Sequence, residues 1–163
     1  MSFEAYLQLD GIPGECTDDK HKDWIEIVSY TMGLNQSSSS SHSTAGGSAA
    51  GKVNFQDITF THLLDKSSPK LFENCVKGVH IKDATLELCR AGGDKFKYLE
   101  IKMEDLLVSC LNSSGDPAGA GFPIEVFSLN FGKMKVTYFK QNEKGVGAGQ
   151  VAFGWDLGKN KPM

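Results

Sequence analysis

Cys16, Cys75, Cys89 and Cys110, with His21, His42, His62 and His80, are among the side chains of this chain that could act as nucleophiles, bases or metal ligands. Thiolate attack needs a base at hand, and a structural zinc site needs ligands at short, paired spacings. No C-x-x-C pair occurs, and no histidine stands at zinc-ligand spacing from a cysteine. The spacing therefore predicts reduced thiols, mostly buried as small apolar groups, with Cys16 exposed in a turn after Gly14-Glu15. The histidines share no pattern. Asp18-Asp19 beside Lys20-His21 reads as a solvated polar turn rather than an acid/base pair. Gly145, Gly147 and Gly149 alternate in a loop, outside the strand-turn-helix setting a phosphate cradle requires. No catalytic set, cofactor or metal is expected, and the residues argue against an enzyme.

Composition narrows the class further. The 163 residues fit one domain, and 40% hydrophobic with 23% charged residues is ordinary for a globular chain. A net charge of −3 and the lack of a Lys/Arg stripe argue against a nucleic-acid partner. No apolar run approaches the length of a membrane span. The start, MSFEAYLQLDG, has neither a basic nor a long apolar region, which predicts synthesis in the cytoplasm without a secretory signal.

The elements that would position these residues are mostly strands. Phe3, Ala5, Leu7 and Leu9 alternate along a first strand, closed by turn chemistry at Asp10 to Gly14. Trp24 to Gln36 reads as one long second strand, and Lys52 to Leu64 as a third whose apolar face changes phase between Phe55 and Ile58. A single helix is signalled by Ser67-Ser68-Pro69, a serine serving as N-cap with Pro69 opening the first turn. Leu71, Phe72, Cys75 and Val76 follow at helical spacing, and Gly78 supplies a left-handed cap. Beyond it, Ala84, Leu86 and Leu88 alternate up to a hairpin turn at Arg90 to Lys95. The return strand from Phe96 slips phase between Met103 and Leu106, and the strand Ile124 to Gln141 slips at Gly132. Val151 to Leu157 closes the chain. Seven or eight long, kinked strands with one side helix predict an all-β fold, a barrel of two bent antiparallel sheets, over residues 1–163. Phe55, Phe60, Phe127, Leu129, Phe131, Tyr138 and Phe153 are available to fill its interior, which weighs against a hollow, monomeric ligand-binding barrel.

One stretch does not fit a compact barrel. LNQSSSSSHSTAGGSAAGKVNF, residues 34–55, interrupts two strands with small polar residues, and connections this long are uncommon unless functional or disordered. Either it is slack, or it becomes ordered against something outside its own subunit. Serine, glycine and alanine present an extended backbone with little bulk, as strand addition to a neighbour requires.

Lys20-His21 before Trp24-Ile25-Glu26-Ile27, then Gly51-Lys52-Val53, Asp57, Phe60-Thr61 and Asp65-Lys66-Ser67-Ser68-Pro69-x-Leu71, together resemble the Hcp family of hemolysin-coregulated proteins. The likeness continues through Gly78, Ala91-Gly92-Gly93 and Gly154-Trp155, and so covers essentially the whole chain. It departs at Tyr30-Thr31-Met32-Gly33, where an aromatic residue commonly precedes the glycine. The resemblance implies a subunit of the type VI secretion inner tube: hexameric rings that stack, are propelled by a contractile sheath with a spike protein at the tip, and carry effector proteins in the lumen. It implies a secreted protein of the plain structural form, the chain stopping at Met163 soon after its last strand. It also assigns surfaces. Residues 35–51 become an inter-subunit or inter-ring loop, with Gln36, Ser37, Ser40, His42, Gly46, Gly47 and Lys52. Thr31 becomes a lumen candidate, and Ser68, Pro69, Lys70, Glu73 and Lys77 a sheath-facing helix.

Overall fold

The computed structural model describes residues 2–38, 50–92, 95–119, 121–142 and 147–163. Among them are strands β1 (Phe3–Leu9), β2 (Ile25–Thr31), β3 (Leu34–Ser38), β4 (Ala50–Phe55) and β5 (Ile58–Leu63), then helix α1 (Ser68–Lys77). The chain continues through β6 (Ile81–Arg90), β7 (Lys97–Ser114), β8 (Ile124–Gln141), β9 (Gly147–Asp156) and β10 (Lys161–Pro162). The sheet runs β10-β9-β8-β5-β2-β1-β6-β7, and the further pairing of β7 with β8 closes six strands into a barrel. Closure leaves those six without a free edge. The strands β3 and β4 form a separate two-stranded ribbon.

The phase slips become corners of this barrel. The registers Glu104↔Lys133 and Leu106↔Phe131 place Asp105 across from Gly132, so the slips expected in two different strands fall on one rung. Asp105 takes a left-handed backbone at φ 56°, and a Cβ on Gly132 would stand 3.1 Å from its Oδ2. Both strands thus turn their apolar faces together. Ile101, Met103, Leu106, Val108, Phe127, Leu129, Phe131 and Met134 all point inward, packed with Phe60, Leu7, Leu86 and Leu71.

Three expectations are corrected. The long second strand is broken at Met32-Gly33 into β2 and β3, where the Gly33 carbonyl accepts from the Gln56 amide at 2.9 Å. The third strand is likewise divided at Gln56-Asp57, which is where its phase changes. With β10, the described residues form ten strands where seven or eight were expected. Third, Tyr138 and Phe153 do not fill the core: each is about half exposed, and Phe55 is only partly buried. The interior is filled instead by Phe60, Phe127 and the aliphatic side chains around them.

Helix α1 starts at Pro69's first turn and stops at Gly78 with φ 59°, as its sequence predicts. Its N-cap residue Ser67 makes no side-chain capping bond. The Asp65 carboxylate instead accepts from the Ser67 amide at 2.8 Å and from the Ser67 hydroxyl, organising the turn that launches the helix. The apolar positions divide between two faces: Leu71 is fully buried, whereas Phe72 and Val76 face outward.

Candidate functional site

Among the described residues His21 and His62 are buried, and each is already engaged. His62 on β5 and Glu125 on β8 are register partners with no exposure, Nε2 lying 3.1 Å from Oε2. The His62 ring meets Phe127 edge-on at 5.3 Å. The pair has no access to a substrate and serves as an internal cross-strand tie.

His21 is held in a second group. Its ring stacks on Tyr6 at 4.1 Å and meets Trp24 edge-on, and both ring nitrogens face carboxylates, Asp18 at 2.8 Å and Glu87 at 2.9 Å. Asp18 is thus no solvated turn residue. The Lys95 ammonium, 2.8 Å from Asp18 Oδ2, and then His21 hold its carboxyl well below the usual carboxylate range. Asp18, with Glu4 and Tyr6, in turn raises Lys95. Burial pushes the Tyr6 phenol up to about 12 and the neighbouring Cys89 thiol up to about 11. Cys16 packs with Tyr6 and Cys89 and is buried, contrary to the exposed turn expected of it; Cys110 is the exposed cysteine. Sequence spacing could not show this cluster, because β1, β6 and the loop before β2 bring its members together from distant positions.

What the molecule presents outward is a sheet face. Along β6-β7-β8-β9, the register aligns Leu86, Ile101, Val136 and Phe153 on one rung, and Leu88, Leu99, Tyr138 and Val151 on the next. Side chains on one rung share a face. Each rung begins fully buried in the barrel and ends open: Ile101 is 0% exposed and Phe153 53%, while Leu88 is 3% and Val151 75%. Phe3 at the end of β1 is exposed beside Tyr98 and Tyr138. The core's apolar face therefore runs out past the barrel wall onto β9. Among the described residues, the outer edge of β9 is covered only towards its C-terminal end, by β10 at Trp155 and Asp156 and by the Met163 amide, which donates to the Gly154 carbonyl at 3.2 Å.

The expected site residues fall as follows. Thr31 is exposed at the end of β2. Gln36 lies in β3 opposite Val53, and Lys52 is exposed on β4; Ser37 belongs to β3. Ser40, His42, Gly46 and Gly47 lie outside the described residues. The ribbon is seated on the barrel at its base by Phe55, whose ring meets Phe131 edge-on. On α1, Pro69, Lys70 and Lys77 are exposed and Glu73 is half-buried, bridging Lys70 at 2.8 Å and Lys77 at 2.5 Å. Those two lysines, Lys70 first, lower the Glu73 carboxyl to about 2. Ser68 is buried under the helix rather than on its outer face.

Fold and surface define a class: a filled β-barrel with one lateral helix, a projecting ribbon and an uncovered apolar sheet face. The sequence profile described as "Type VI secretion system effector, Hcp" matches residues 6–138. Protein hcp1 of Pseudomonas aeruginosa is 35% identical over 162 residues, 98% of each chain. A solved type six secretion system protein superposes with a TM-score of 0.93 at 31% identity, covering 99% of this chain and 100% of that one. Hcp1 from Salmonella typhimurium superposes at 0.82 with 33% identity over the full length of both. This chain belongs to the Hcp family of the type VI secretion system.

Proposed function

We propose that this chain is a ring subunit of the type VI inner tube, assembling as hexamers that stack, are exported, and carry effector proteins in the lumen. The observation that carries this reading is the apolar sheet face ending in Tyr138, Val151 and Phe153 beside the open edge of β9. An apolar surface continuous with a core is a surface prepared for a partner. A face and a free edge on one side of the molecule suit a head-to-tail contact, which closes into a ring. The contractile sheath, the tip spike and effectors are the further partners. Export through the type VI apparatus accounts for secretion. Catalysis is no part of this role, and the fully buried His62 is taken up by Glu125. A monomeric ligand carrier is disfavoured by an interior filled with Phe60, Phe127 and Leu129.

Light scattering of the purified protein is the direct test. The expected mass is six times 17.7 kDa, about 106 kDa, at micromolar concentration. A mass of one chain across a wide concentration range would sink the ring reading.

The ribbon supplies a second expectation, for the contact between rings. Its last described rung is Ser38↔Ala50, so residues 39–49 can be replaced by Asn-Gly to close a tight hairpin there. Shortening the loop slightly lowers its closure entropy, and the barrel does not depend on it. The variant is expected to melt cooperatively and to keep the hexamer mass while losing stacked tubes in electron micrographs. Tubes of ordinary length would show that the tract is slack.

A further inference from the structure

We propose that His21, Glu87 and Cys89 form a binding site for a divalent ion of the zinc class. Three side chains converge there, each with one donor atom within 4.8 Å of the others', and His21 Nε2 lies 2.9 Å from Glu87 Oε2. Imidazole, carboxylate and thiolate are the ligand types that zinc takes, in sets of three that leave a fourth position open. A tetrahedral ion would set these donors roughly 3.3–3.6 Å apart, so the 2.9 Å between His21 Nε2 and Glu87 Oε2 opens slightly and Cys89 Sγ closes in.

The atoms that do not converge are all tied down. His21 Nδ1 faces Asp18 Oδ1 at 2.8 Å, which is the outer carboxylate that commonly orients a metal-ligating histidine. Asp18 Oδ2 is fixed by Lys95 at 2.8 Å, and Glu87 Oε1 by Lys97 at 2.9 Å. Stacking on Tyr6 and the edge of Trp24 set the ring plane. His21 and Glu87 are therefore each held by the other end, and the remaining donor of each is aimed towards the Cys89 thiol. Charge is consistent with an ion. A bound ion takes Cys89 as the thiolate and His21 through an unprotonated Nε2, the displaced protons leaving to solvent, so thiolate and carboxylate balance the dication. Access lies on the Glu87 side, since His21 and Cys89 are buried and Glu87 is only partly so. The site is built from the loop before β2 and from β6, and it is remote from the β9 face.

The competing outcome is that the His21–Glu87 hydrogen bond is final and excludes metal. Titration of the reduced protein with Co²⁺ separates the two. The expected result is one ion per chain, with a near-ultraviolet thiolate-to-metal absorption that Zn²⁺ displaces. That absorption should vanish in Cys89→Ser and persist in Cys110→Ser, which removes the exposed thiol. Asp18→Asn should weaken binding by about 10–100-fold through the loss of the orienting carboxylate. Should Cys89→Ser fail to fold, the ring-nitrogen resonances of the wild-type protein decide: Zn²⁺ must move Nε2 of His21 ahead of those of His42, His62 and His80. No thiolate absorption in the wild type, absorption lost only with Cys110, or a shift confined to another histidine each overturns the site.

Discussion

Replacing His62 by leucine is expected to destabilise the barrel by about 1–3 kcal/mol, the range for leaving a buried polar group without its hydrogen-bond partner. For a domain of this size that is a fall in melting temperature of roughly 2–12 °C, at about 2–4 °C per kcal/mol. The loss comes from what is left behind. Glu125 is fully buried, its Oε1 already has no hydrogen-bond partner among the described residues, and His62 Nε2 is the group that faces Oε2. Without it, β8 holds a buried carboxyl group with no hydrogen-bond partner, next to the Phe127 ring. Changing both residues, His62→Leu with Glu125→Leu, removes the stranded group and should recover most of the loss, because replacing both partners of a buried hydrogen bond by apolar groups can be nearly neutral. The melts need one fixed protein concentration, since assembly shifts apparent stability. A single variant melting within 2 °C of wild type would show that the pair contributes nothing, and a double variant no better than the single would locate the cost elsewhere.

How legible this molecule is in its sequence depends on the range of the interaction. Helix α1 could be read because Pro69 and Gly78 act on their own backbone, through a fixed φ at one end and a left-handed cap at the other. The barrel corners could be read because a slip in an apolar pattern is local. That Asp105 and Gly132 share one rung could not, since register joins residues far apart in the chain. Tyr138 and Phe153 mark the second limit. Alternation assigns them correctly to the core-facing side of β8 and β9, but it carries no information about where the opposing layer ends. The His21 cluster lies beyond both limits. Asp18, Glu87 and Lys95 are scattered charges in the sequence, and Asp18 looks solvated until the fold sets Lys95 against it.

Phe153→Glu on β9 is expected to reduce the mass in solution from six chains to one while leaving the barrel folded. Phe153 lies outside the core cluster, at the open end of the rung that begins with Leu86 and Ile101, so the barrel has little to lose. In a ring the same side chain and Val151 would be covered by the next subunit. Burying half a phenylalanine and three quarters of a valine contributes on the order of 2 kcal/mol per contact, repeated around the ring. A carboxylate at this position reverses the sign, because it must give up its water without a partner. Closure of a ring multiplies that penalty, since every subunit carries the substitution. Val76→Glu is the control. Val76 is 85% exposed on α1, on the side taken here to face the sheath, so the charge should leave the ring mass unchanged. Failure of the wild type to form a six-chain species would defeat the ring itself. A six-chain wild type that survives Phe153→Glu, with cooperative melting in both, would defeat only the interface, and would move the subunit contact off the β9 face.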